Sequence, residues 1–164
     1  MKRSGEGKAT VYLICGFIGA GKTTFSKKLA EKTGAMRVTK DEWMVKIFGN
    51  KAPNREDFSI LDNNVANLAT EFALELAGRG VDVILDEGYW IRSQRDELKE
   101  RIKQVGARWV LYYVETPMEQ MKDRVVKRTI NPGSESFEIS EEMFDGYVKY
   151  WQPPTKDEDY LLAE

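Results

Sequence analysis

The stretch Gly16-Phe17-Ile18-Gly19-Ala20-Gly21-Lys22-Thr23 constrains this chain more than any other. It fits the pattern G-x-x-x-x-G-K-[ST] and follows a short apolar, β-rich run, Thr10–Cys15. The segment after it, Lys22–Thr33, reads as a helix that Gly34 closes. Glycines let a backbone wrap an anion with its N–H groups pointing inward, and the helix behind them presents its positive end. A lysine there reaches the β- and γ-phosphates, and the hydroxyl beside it ligates magnesium. A strand before and a helix after are the context in which this pattern means a nucleotide rather than a chance glycine-rich turn. Gly16, Gly19, Ala20, Gly21, Lys22, Thr23 and Thr24 are therefore expected to bind ATP, with Mg2+ on Thr23.

The rest of the chain continues the alternation. Met36–Thr39 reads as a second strand, followed by a helix over Asp41–Phe48 that ends at Gly49. Asn50–Asp57, with Pro53, reads as a loop. Val65, Leu68, Ala69, Phe72, Ala73, Leu76 and Ala77 recur at helical spacing before Gly78 and Gly80. Val81–Leu85 is a third strand, finishing at Asp86-Glu87-Gly88. Ser93 is placed to cap a charged helix to about Gln104, and Trp109–Val114 is a fourth strand. Thr116-Pro117-Met118-Glu119 has the form of a capping box opening a helix to about Arg128. Asn131-Pro132-Gly133 reads as a turn, Ser140 caps a helix through Trp151, and Tyr160–Leu162 is a candidate fifth strand at an edge. Alternating βα units imply a parallel sheet covered on both faces, with ligands beyond the carboxyl ends of its strands. The expected organisation is a tail over residues 1–9 and one domain over 10–164, with a lid about 117–139.

Bulk properties narrow the chemistry. A net charge of −2 gives no global attraction to nucleic acid or an anionic membrane. No apolar run approaches the roughly 18 residues of a membrane span. The polar start does not resemble a signal peptide, and a single cysteine cannot form an internal disulfide, so a cytoplasmic location is expected. Cys15 reads as a buried small hydrophobe. There are no histidines, which removes the commonest general base.

Acid–base work then falls to carboxylates. Asp41, after the second strand, is placed to orient an acceptor hydroxyl and take its proton, although an aspartate there can simply cap a helix. Asp86 ends the third strand, where a carboxylate supports magnesium directly, through water or by bonding Thr23. Arg124 and Arg128 lie four residues apart on one helix face and can close over a triphosphate. Trp43, Phe48 and Phe58 are expected in the core. Glu87, Tyr89 and Trp90 are open as substrate contacts, and Arg95 is an exposed helix residue by default with a secondary claim on the acceptor.

The phosphate loop, Asp41, LDEG at the third strand's end and KDRVVKR in a lid helix together resemble the small P-loop kinases of the AAA-33 type. Polynucleotide kinase domains, chloramphenicol phosphotransferase and zeta-toxin-like kinases are their relatives. The resemblance covers about residues 10 to 160. It implies an α/β three-layer αβα sandwich with a five-stranded parallel sheet in the order 2-3-1-4-5 and a helical lid. It also implies transfer of the ATP γ-phosphate to a hydroxyl, with Asp41 as base, Asp86 supporting the magnesium site, Arg124 on adenine and Arg128 on phosphate. Polynucleotide kinases carry an arginine three residues after the base, where this chain has Met44; nucleoside monophosphate kinases carry a proline that Gly88-Tyr89-Trp90-Ile91-Arg92 lacks. The expectation is thus a kinase of small molecules, metabolite or antibiotic-like, acting as monomer or homodimer. A polynucleotide 5′-hydroxyl kinase and a regulatory ATPase are the alternatives, nucleic acid not being the favoured partner.

Overall fold

The structure is a computed structural model that describes residues 8–130 and 137–164. Its sheet has five parallel strands: β1 (Thr10–Cys15), β2 (Met36–Val38), β3 (Val83–Gly88), β4 (Arg108–Tyr113) and β5 (Tyr160–Leu162), in the order β2-β3-β1-β4-β5. The helices are α1 (Lys22–Thr33), α2 (Lys40–Phe48), α3 (Phe58–Gly78), α4 (Arg92–Gln104), α5 (Met118–Ile130) and α6 (Glu141–Val148). This is the three-layer P-loop architecture. Short 3-10 turns lie at Ala52–Asn54 and Lys156–Glu158. The expected Asn131-Pro132-Gly133 turn and part of the lid fall outside the described residues.

The layers follow from strand alternation, since successive side chains point to opposite faces of a sheet. Val11, Leu13 and Cys15 of β1 join one core with Ala69, Ala73 and Ala77 of α3 and Leu98 and Ile102 of α4. Ile14 of β1 joins the other with Leu29 of α1, Met121 and Val125 of α5, and Phe144 of α6. Small residues along the buried stripe of α3 let it lie close on the sheet. Helix α3 starts at Phe58, well before the apolar periodicity begins at Val65. Its first turns carry polar residues because they face a cavity instead of the core.

Several boundaries differ from expectation. Ala9 is buried and its carbonyl accepts from the Arg108 amide, so the domain begins before Thr10. Ser93 lies inside α4; Ile91 is the N-cap, with no side-chain cap. The Thr116 hydroxyl donates to the Ala20 carbonyl, tying the start of α5 to the phosphate loop. Ser140 does cap α6, accepting from the Met143 amide at 3.1 Å, but α6 ends at Val148.

Arg95 is the clearest correction. It is not exposed: its side chain is fully buried. Its guanidinium forks onto Glu158 with two contacts of 2.7 Å and donates to the carbonyls of Tyr89 and Gln152, each at 2.9 Å. Burial, the largest single influence, would raise the Glu158 carboxyl; the Arg95 hydrogen bonds, the Thr155 backbone N–H and the charges of Arg95 and Lys99 together hold that pKa below its ordinary value. Removing one partner of such a pair leaves an uncompensated charge. Arg95→Met is expected to cost about 3–5 kcal/mol of stability, and Arg95→Lys to recover only part of it because an ammonium lacks the planar fork. Urea unfolding checks this; a loss under about 1 kcal/mol would show the pair to be dispensable.

Candidate active site

The loop between β1 and α1 has the geometry of a phosphate cradle. Gly19 and Gly21 adopt φ of 80° and 103°, the left-handed region that glycine enters without penalty. Gly21 is the N-cap of α1, and no side chain caps that helix, so its first-turn N–H groups face outward for an anion. Glycine at 19 is also required by space: a Cβ there would meet the Met121 carbonyl oxygen at 2.5 Å. Below the loop, the Trp90 indole donates to the Gly16 carbonyl at 3.2 Å and its ring packs on Phe17. Trp90 thus holds the loop from beneath.

Lys22 donates to the Phe17 carbonyl at 3.0 Å. Burial lowers its pKa, and the charges of Asp86 and Asp41 work the other way. Asp86 is buried, and its Oδ2 accepts from the Ser26 hydroxyl at 2.6 Å and lies 3.8 Å from Arg37 Nε. The hydrogen bond is thus to Ser26, one turn beyond Thr23, and not to Thr23 itself. Burial raises the Asp86 carboxyl above its usual range, while Ser26, Lys22 and Arg37 pull it back and the Asp41 charge adds to the rise. Asp41 is not the helix cap. Thr39 holds that position, Asp41 lies in the first turn of α2 and Lys40 Nζ is 3.6 Å away.

These residues surround one cavity of about 610 Å³. Gly19, Gly21, Lys22, Thr23 and Thr24 line one end, and Asp41, Asp86 and Arg128 open onto it. Gly16 and Ala20 are buried behind the loop and do not line it. Arg124 does not line it either; it donates to the carbonyls of Gly19 and Ala20 at 3.1 and 3.4 Å. The cavity continues past Asp41 between α3 and α4, where Asn63, Asn67 and Thr70 face Gln94 and Arg101. Phe58, expected in the core, lines the cavity instead, edge-on to Phe137, with ring centroids 5.5 Å apart. Trp43 does pack on the core and on Phe72. Tyr89 and Glu87 also reach the cavity. Cys15 is buried, as the sequence suggested, and burial pushes its thiol up to about 12.

Residues 11–154 match the model of the AAA domain family AAA_33. The chain belongs to that family. No curated protein matches it. Among solved structures, this AAA_33 chain is similar to a kinase candidate from Chloroflexus aurantiacus J-10-fl, with 16% identity, a TM-score of 0.76 and coverage of 96% of this chain and 85% of the other. It is similar to Chaetomium thermophilum Kti12 in complex with ADP-AlF3 at 15% identity and TM-score 0.70, covering 93% and 86%. It is also similar to a gluconokinase from Sinorhizobium meliloti 1021 at 15% identity and TM-score 0.65, covering 96% and 83%. At such identities the likeness is one of fold. Among the described residues, no helix of this AAA_33 domain is long and apolar enough to cross a membrane.

Proposed function

We propose that this AAA_33 protein is a kinase that transfers the γ-phosphate of ATP to a hydroxyl of a small molecule. One observation carries the reading: the phosphate cradle, Asp41 and Asp86 line a single cavity that extends beyond them into a polar and aromatic chamber. Nucleotide phosphates and an acceptor hydroxyl can meet there without leaving the protein.

Each residue then has a task. Loop amides and Lys22 hold the β- and γ-phosphates. Asp41 orients the acceptor hydroxyl and takes its proton as the new O–P bond forms and the bond to the β-phosphate oxygen breaks, leaving ADP. Arg128 faces the same cavity and offsets negative charge on the transferring group. The Thr23 hydroxyl and the Asp86 carboxylate are hard oxygen donors and fit magnesium, which when bound neutralises charge on the phosphates. Ser26 and Arg37 fix the Asp86 carboxylate for that position.

Nucleic-acid ends are poor candidates for the acceptor. Met44, at the place of the acceptor-phosphate arginine of polynucleotide kinases, is fully buried. Incubation with ATP, magnesium and a library of hydroxylated small molecules is expected to show transfer to some of them. Single-stranded DNA or RNA 5′ ends at moderate salt are expected to stay unlabelled. Efficient end labelling would keep the catalytic residues and overturn the substrate.

A further inference from the structure

The register between β1 and β3 breaks at the active site. Ile14 pairs with Asp86 and Cys15 with Gly88, so Glu87 is an extra residue in β3. Such bulges re-aim a side chain. Glu87 lines the cavity, yet its Oε1 is enclosed and has no hydrogen-bond partner. The Tyr89 hydroxyl is enclosed and unpartnered as well, on a residue held at φ 45° with its carbonyl bound by Arg95. Enclosed polar groups without partners carry a desolvation cost that a ligand can relieve.

The surroundings specify what that ligand brings. From α2, Lys40 and Asp41 face Glu87; from α3, Asp62; from β3 itself, Asp86. The nearest cation, Lys40, is already engaged, 2.7 Å from Asp62 and 3.6 Å from Asp41. Around Glu87 itself, three carboxyl groups thus stand against one lysine that is already paired. A neutral hydroxyl would supply a donor but no charge, and an anion would add to the repulsion.

Resting on the kinase reading above, we propose that Glu87 is a specificity residue that receives a protonated amine of the acceptor, so that the substrate class is a hydroxylated amine. The Tyr89 hydroxyl meets a hydroxyl of the same molecule, while Asp41 stays with the hydroxyl to be phosphorylated.

Glucosamine, glucose and gluconate serve as matched probes of cationic, neutral and anionic character. Their dissociation constants are measured on the full chain with a non-hydrolysable ATP analogue and magnesium present. Glucosamine is expected to bind at least about tenfold more tightly than glucose, with gluconate weakest, because a charge-assisted hydrogen bond exceeds a neutral one. In Glu87→Gln, which keeps shape and removes charge, that preference is expected to vanish while affinity for the analogue holds. Equal binding of glucosamine and glucose, binding of none of the probes, tighter gluconate, or a preference that survives Glu87→Gln would each overturn the proposal. If the analogue itself fails to bind wild type, the kinase reading falls instead. The far-ultraviolet circular dichroism of Glu87→Gln shows whether the variant folds; should it not, Glu87→Asp, which keeps the charge and draws it back, must weaken glucosamine more than glucose.

Discussion

Replacing Asp41 by asparagine is expected to leave ATP binding intact and abolish transfer. The amide has the shape of the carboxylate but cannot accept the hydroxyl proton. No histidine exists anywhere in the chain to take over. Glu87 is another carboxyl on the same cavity, and it is pushed up to about 8, largely by burial. Without a cation beside it, such a group is protonated at neutral pH and a poor base, so rescue should appear, if at all, only at more alkaline pH. ATP affinity by calorimetry and product formation over a pH series separate the cases. Full activity in Asp41→Asn at neutral pH would remove the base assignment and leave only the nucleotide site standing.

Lys22→Ala is expected to lose at least about a hundredfold in turnover while folding normally. A charge aimed at a transferring phosphate contributes several kcal/mol in the transition state. Its folding consequence is small because burial already disfavours the charged ammonium in the absence of a ligand. The two effects therefore have opposite expectations: melting temperature unchanged or slightly raised, kcat strongly reduced. Near-normal turnover in the folded variant would sink the phosphate-loop assignment.

What could be read from sequence was what short-range chemistry encodes. The glycine pattern, the lysine and the strand-to-helix context are local, and so are Asp41 and Asp86 at strand ends. The sheet order came with the family resemblance and holds. The misses involve partners far apart in sequence or signals that polarity erases. Arg95 and Glu158 are separated by 63 residues, so nothing near Arg95 revealed that its charge is spent inside the protein. The start of α3 was invisible because residues that line a cavity break the apolar spacing on which helix reading depends. Ser26 shares a helix with the phosphate loop but belongs to no motif, and only a turn count from Thr23 points to β3. The bulge at Glu87 is a pairing event between two strands, and a single strand's sequence does not announce it.

The contact of Gly19 with Met121 has a mechanical consequence. The root of α5 is seated on the phosphate loop: a Cβ at Gly19 would lie 2.5 Å from the Met121 carbonyl oxygen, and Arg124 grips the loop carbonyls one turn further on. Arg128 stands a further turn along the same helix. The first turns of α5 are thereby clamped to the loop, and the part of the helix that carries Arg128 lies past that clamp. The nucleotide-binding loop and the root of α5 are therefore one mechanical unit, and a disturbance of either is passed to the other.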